Sequence, residues 1–210
     1  MGNEIINPAA SQQDRREGIK RFCVETVQGG NKTDAKYREE IVPLYKTIFR
    51  AVYTHLEDLR EGQETIKAGL LNPATTLIFL REGASQKLVG FTSASPTDGL
   101  GCVHTAETER IMMGLSETAY ADMQKETTEV GYTGILQANR RQGGWSLMMD
   151  ALDEAVRGQK QYTYMLRFVR RAEDYSDKVQ KRYKKDIVYK ANCEDSDPND
   201  PQDFFRIKLH

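Results

Sequence analysis

Residues 129–155 read EVGYTGILQ, then ANRRQGG, then WSLMMDALDEA, and change character twice. Glu129 to Gln137 is rich in β-branched and aromatic residues, which predicts a strand. Gly143 to Arg157 puts Met148, Leu152, Ala155 and Val156 on one side of an amphipathic helix. Between them, Asn139-Arg140-Arg141-Gln142-Gly143-Gly144-Trp145-Ser146 forms a glycine-containing strand-to-helix turn. Such a turn points backbone N–H groups outward at a helix N-terminus, where the helix dipole and neighbouring arginines favour an anion. Gly143 and Gly144 let the backbone come close to a ligand, since no Cβ stands in the way. The turn has neither the Gly-Lys-Ser/Thr of a Walker A loop nor a GxGxxG fingerprint. Its residues alone leave two readings open, a structural turn or a cradle for a nucleotide or other phosphate.

Working outward, Gln161 to Val169 predicts a strand, Ala172 to Lys185 a helix, and Asp186 to Lys190 and Phe204 to Leu209 two short closing strands. Upstream, Lys20 to Val27 predicts a first strand closed by Gly29-Gly30. From Asp34 the pattern is helical, with Leu44, Ile48, Val52, Leu56 and Leu59 sharing a face and Tyr45, Phe49 and Tyr53 forming a core-type aromatic stripe beside it. A shorter helix is expected from Glu61 to Leu71, stopped by Asn72-Pro73. Thr75 to Arg81 and Lys87 to Ser95 predict a hairpin around Glu82-Gly83-Ala84-Ser85. Pro96 to Lys125 opens at Thr97-Asp98-Gly99 and reads as an insertion with some helix. The order β–αα–ββ–β–α–β–α–β–β describes one α/β domain with a mixed sheet over residues 18–210, preceded by a polar arm, 1–17.

Composition narrows the function classes. Of 210 residues, 39% are hydrophobic and 29% charged, which fits a soluble globular chain and excludes wholesale disorder. No apolar run reaches the roughly 18 residues of a membrane helix. Residues 1–17 lack the apolar stretch of a signal peptide, and Ile6 stands where a myristoylation motif wants Ser or Thr. A cytoplasmic protein without membrane attachment is expected. Cys23, Cys102 and Cys193 are scattered, as free thiols are, and His55, His104 and His210 are isolated, so no metal site built on His or Cys is expected. The net charge of -1 conceals asymmetry. Ala138 to Lys190 carries 13 basic against 7 acidic residues, whereas Asn192 to Asp203 has Glu194, Asp195, Asp197, Asp200 and Asp203 without a base. That pattern favours a local anion site over a nucleic-acid groove.

The strand EVGYTGILQ, the Arg-x-x-Gly turn and the helix SLMMDALDEA together resemble the GNAT superfamily of acyl-CoA-dependent N-acetyltransferases. The strand YTYMLRFV and the helix ending Gln180-Lys181-Arg182-Tyr183-Lys184-Lys185 resemble that family's later strand and tyrosine-bearing helix. The resemblance implies the GNAT-like acyl-CoA N-acyltransferase fold, acetyl-CoA as co-substrate and a primary amine as acceptor. The family turn, Gln/Arg-x-x-Gly-x-Gly/Ala, fits here in two registers. One matches Arg140 and Gly143 and puts Trp145 at the final small position. The other matches Arg141, Gly144 and Ser146 and keeps the close-approach position small, which favours it. Either register brings Arg141, Gln142, Gly143, Gly144, Trp145 and Ser146 to the pyrophosphate, and the resemblance adds the N–H groups of Leu136 and Gln137 as partners of the pantetheine arm and thioester carbonyl.

Amine acetylation needs a base for the amine and an acid for the departing thiolate. By the same resemblance Glu129 is the base, acting through a water, and Tyr183 the acid, with Tyr175 in reserve. Tyr45, Phe49 and Tyr53 lie where the family lines its acceptor groove. Homodimers are common in the family, although no pattern here specifies an interface. The rival expectation is a non-catalytic GNAT-fold binding protein whose Trp145 alters the CoA site.

Overall fold

The computed structural model describes residues 21–50, 53, 56–97, 103–170, 175–192 and 202–210, with only the backbone of 103–106 and 170. The arm 1–17, Val52, His55, Asp98-Gly99, Cys102, Ala172, Cys193 and the acidic positions 194–200 lie outside the described residues. The chain order is β1 (Phe22–Gln28), α1 (Asn31–Phe49), α2 (Leu56–Leu71), β2 (Thr76–Glu82), β3 (Leu88–Pro96), α3 (Val103–Met112), α4 (Glu117–Lys125), β4 (Thr127–Val130), β5 (Gly134–Ile135), a 3-10 turn (Gln137–Asn139), α5 (Gly144–Gly158), β6 (Tyr164–Arg170), α6 (Tyr175–Tyr183), β7 (Ile187–Asn192) and β8 (Gln202–Lys208). Mixed α/β architecture is what the pattern predicted. Two compact units divide it, Met1–Ser93 with Tyr132–Glu154 and Ala94–Gly131 with Ala155–His210.

In the first unit β1 runs antiparallel to β2, Phe22 opposite Glu82 and Gln28 opposite Thr76, and β3 neighbours β2. The chain leaves β1 at Gly29, whose amide donates to the Thr75 carbonyl at 2.9 Å. A Cβ at Gly29 would sit 2.0 Å from the Asn72 carbonyl oxygen, so only glycine fits. The apolar stripe from Leu44 to Leu59 is divided between two helices. Leu44 and Ile48 are buried on α1 and Leu59 on α2, but Leu56, the first residue of α2, is 82% exposed. Four-residue spacing survives a break between helices, and no Pro or Gly marks this one. Tyr45 and Phe49 stack at 4.7 Å and meet Phe91 and Tyr132, so the aromatic stripe is core. Each such ring buried contributes about 2–3 kcal/mol.

In the second unit the residues Ala94–Pro96 of β3 pair antiparallel with β4, β4 pairs parallel with β6, and β8 lies antiparallel between β6 and β7. Directly paired residues share a sheet face. Glu129, Leu166 and Arg206 therefore form one row across β4, β6 and β8. Arg167 and Phe205 belong to the opposite face, where α6 packs through Tyr183 on Arg167 and Ser176 on Asp203. The insertion forms two helices, α3 and α4, and lies on the Glu129 face, where Glu109 meets Arg206. Ser116 caps α4 by accepting from the Ala119 amide at 3.2 Å.

The strand predicted over 129–137 is two short strands. From Ala94↔Val130 to Phe91↔Gly134 the chain takes four steps against three on β3, so one extra residue makes a β-bulge. Gln137 falls in the 3-10 turn instead of the strand.

Candidate active site

The turn ahead of α5 is shaped by its backbone. Arg141 and Gly143 have φ of 61° and 84°, and Gln142 between them does not. Alternating signs of φ turn successive amides toward one side, the geometry of an anion-binding nest. The Gly143 carbonyl accepts the first helical bond, from the Leu147 amide at 3.2 Å. The amides of Gly144, Trp145 and Ser146 thus open the helix with no carbonyl four residues earlier to receive them, and the helix dipole adds positive potential there. Side chains hold the loop from behind. Arg140 Nε donates to the Ile135 carbonyl at 3.2 Å, and Gln142 Nε2 donates to the Ala138 carbonyl at 3.0 Å. Among the described residues, Gln142 Oε1 is buried without a hydrogen-bond partner. Arg141 is exposed.

The two glycines have different work. A Cβ on Gly143 would meet nothing within 4 Å, so the open side of the loop lies there. Gly144 is buried, and a Cβ on it would come within 2.6 Å of Leu80 Cδ2 and 3.6 Å of Ile135 Cδ1. It faces inward, as an apolar position would. The register of Arg140 and Gly143 is the one whose glycine faces open space, and it sets half-buried Trp145 on the first turn.

Leu136 departs from expectation. Its amide donates to the Val89 carbonyl at 2.8 Å, so this N–H closes a sheet bond and is not available to a pantetheine arm or a thioester oxygen. The Gln137 carbonyl accepts from Arg140 at 3.2 Å, and among the described residues no carbonyl receives the Gln137 amide.

The two proposed proton-transfer groups lie in the second unit. Glu129 is half-buried on β4, and Thr97 Oγ1 donates to its Oε2 at 3.3 Å. Tyr183 ends α6 with only 3% exposure, and its hydroxyl accepts from Arg167 Nη1 at 3.3 Å. Arg167 and Arg182 place their guanidinium carbons 5.9 and 5.5 Å from the Tyr183 ring. By the sheet register, Glu129 and Tyr183 stand on opposite faces. Paired residues of β4 and β6 end at Val130↔Arg167, while β6 continues to Arg170. Tyr175, the reserve acid, has its ring 4.7 Å from Lys178 Nζ.

Sequence reasoning missed Thr97, Arg167 and Arg206. No short-range pattern marks them, because each acts on a residue 16 or more positions away. Among the described residues, no cluster of His, Cys, Asp and Glu could hold a metal ion, and no helix is long and apolar enough to cross a membrane.

No family model matches the sequence, and no curated protein matches it. Solved structures do match in fold. A GNAT-family acetyltransferase from Staphylococcus aureus Mu50 aligns at a TM-score of 0.53 and 11% identity, over 90% of this chain and all of that one. Arabidopsis thaliana NAA60 in complex with acetyl-CoA aligns at 0.54 and 11%, over 89% of this chain and 97% of that one. The ribosomal-protein-S18-alanine N-acetyltransferase of Escherichia coli aligns at 0.54 and 6%, over 89% and 94%.

Proposed function

We propose that this chain, which has the fold of the GNAT acetyltransferases, is an N-acetyltransferase that moves an acetyl group from acetyl-CoA directly to a primary amine of a small molecule or protein. The carrying observation is the loop at 141–146. Its alternating φ signs, the open space at Gly143 and the free first turn of α5 form a backbone site for a pyrophosphate. The residues fit that group. Amides from Gly143 to Ser146 would hold its oxygens, and exposed Arg141 would add charge from the rim. Acetyl-CoA supplies a thioester, whose acyl carbon is open to an amine nucleophile.

The chain's own groups then divide the proton traffic. Glu129 takes a proton from the incoming ammonium through a water, and Tyr183 gives its hydroxyl proton toward the departing thiolate. Arg167, already bonded to the Tyr183 oxygen, would stabilise the phenolate left behind. The Gln137 amide, unlike that of Leu136, remains to polarise the thioester carbonyl.

Calorimetric titration with acetyl-CoA, repeated with ATP, tests the site. Micromolar acetyl-CoA binding is expected, weakened about tenfold (about 1.4 kcal/mol) by Arg141→Ala. With binding established, Glu129→Gln should lower kcat about 100-fold and leave Kd unchanged. The second reading, a GNAT-fold protein without this activity, draws on half-buried Trp145 at the small-residue position of the loop. No acetyl-CoA binding by the folded chain, restored by Trp145→Gly, would establish it; ATP binding without acyl-CoA preference would point to a different anion.

A further inference from the structure

Arg206 lies on β8 with its side chain wholly buried, an expensive place for a charge unless it is paired. Its Nε donates to Glu109 Oε1 and its Nη2 to Glu109 Oε2 at 2.7 Å, while Nη1 donates to Thr127 Oγ1 at 2.8 Å. Glu109 is equally buried, and its Oε2 also accepts from the Tyr120 hydroxyl at 2.6 Å. Gln124 closes the ring, donating to the Tyr120 oxygen at 2.8 Å and accepting from Arg206 Nη2 at 3.4 Å. The Thr127 hydroxyl donates to the Met123 carbonyl at 2.6 Å. Burial and the Glu109 carboxylate push the Tyr120 hydroxyl above the usual tyrosine range, so it stays a donor. One buried pair thereby ties α3, α4, the first residue of β4 and β8 together.

That pair lies on the same sheet face as Glu129. Thr127 and Glu129, two residues apart on one strand, share a face. Arg206 occupies the same row as Glu129, two strands away, about 10 Å by strand spacing. The other titratable groups toward this face are Tyr164 on β6, Lys208 on β8, Tyr189 on β7 and Tyr120 on α4, while Asp122 and Lys125 of α4 pair with each other at the surface. We propose that Arg206 and Glu109 are positioning residues for Glu129: they seat the α3–α4 insertion and β4 on the Glu129 face, and their opposite charges cancel so that neither biases the carboxylate. The inference rests on the reading of Glu129 as the base.

Three variants test it, Glu109→Gln, Arg206→Gln and the apolar double Glu109→Leu/Arg206→Met, each followed by amide hydrogen exchange and by the pH profile of kcat/KM. Left alone, the Arg206 charge favours ionised Glu129, so Glu109→Gln should move the acidic limb down by about half a pH unit. Left alone, the Glu109 charge should move it up by a similar amount in Arg206→Gln. The double variant should return it to the wild-type position. Exchange within 107–130 should rise at least tenfold in both single variants, with 164–170 still protected. Shifts of the same sign, or no shift with unchanged exchange, would overturn the proposal. If Arg206→Gln fails to fold, Glu109→Gln and the double still supply the sign and its cancellation. A Glu129→Gln variant with wild-type rate and limb overturns the base reading instead, and the exchange result then decides the anchoring alone.

Discussion

The loop at 140–146 and the cluster around Arg206 both manage charge, but from opposite materials. The loop is backbone, a run of amides aimed by positive φ at Arg141 and Gly143, with the Arg141 side chain exposed. The cluster is built mainly from side chains, with Arg206 and Glu109 at 0% exposure and 97 positions apart in sequence. A backbone site keeps its polar groups whatever the side chains become, so substitutions in the loop are expected to change affinity for the proposed ligand more than stability. A buried side-chain network fails when any member leaves, because the partner's desolvation is then uncompensated. Substitutions should therefore separate the two regions along two axes, folding stability and ligand affinity.

The largest separation is expected between Arg206→Leu and Arg141→Ala. Leucine at 206 strands the buried Glu109 carboxylate, which should cost about 3–5 kcal/mol and lower Tm by roughly 10 °C. Alanine at exposed 141 should leave stability within about 0.5 kcal/mol of wild type. Urea denaturation of the two variants measures both. Equal losses would mean that the cluster is hydrated in solution and that the contrast is false.

A finer separation lies inside the loop, between neighbouring glycines. A methyl group at Gly144 meets Leu80 Cδ2 at 2.6 Å, so Gly144→Ala should cost about 1–3 kcal/mol. At Gly143 a methyl group meets nothing, and the left-handed φ of 84° should cost only about 1–2 kcal/mol. Affinity should order the other way, because the Gly143 Cβ would stand on the open side where the pyrophosphate is proposed. Denaturation paired with acetyl-CoA titration checks both orders. If Gly144→Ala weakens binding more than Gly143→Ala, the register centred on Arg141 and Gly144 is the right one.

The same contrast explains what the sequence could disclose. The loop was legible because its determinants are contiguous: a β-rich run, two glycines, two arginines and an apolar helical stripe. The helix that carries Tyr183 was legible from the same kind of local pattern, although it ends at Tyr183 and not at Lys185. The bulge at 131–133 was not legible, since the extra residue is defined only against β3. Leu136 was misjudged for a related reason, its amide being taken by Val89 on another strand. Arg206 sits in FFRIKL, where an arginine between apolar residues reads as the exposed side of an alternating strand. It is buried instead, paired with Glu109 on one of the inserted helices.

Exposure itself can be tested as the variable by a third group of charges, at the surface of the first unit. Glu25 accepts from Lys36 Nζ at 3.0 Å, from Arg81 Nε at 3.2 Å and from the Tyr37 hydroxyl, while Arg81 also reaches both Glu40 oxygens. Burial raises the Glu25 carboxyl, but the hydrogen bonds from Tyr37, Lys36 and Arg81 more than offset this and hold it below the usual carboxylate range. A lowered folded-state pKa stabilises above the unfolded value, about 4.3, and that contribution is lost as pH falls through the folded value. Wild type should thus lose more stability than Glu25→Gln between pH 6 and pH 3, the two converging at the acid end. With the Glu25 side chain 33% exposed, the difference should stay under about 1 kcal/mol and shrink in 1 M salt. Arg206→Leu should cost as much in 1 M salt as in dilute buffer, because ions screen only charges that solvent reaches. A salt-sensitive Arg206 and a salt-insensitive Glu25 would mean that composition, and not burial, separates the two networks.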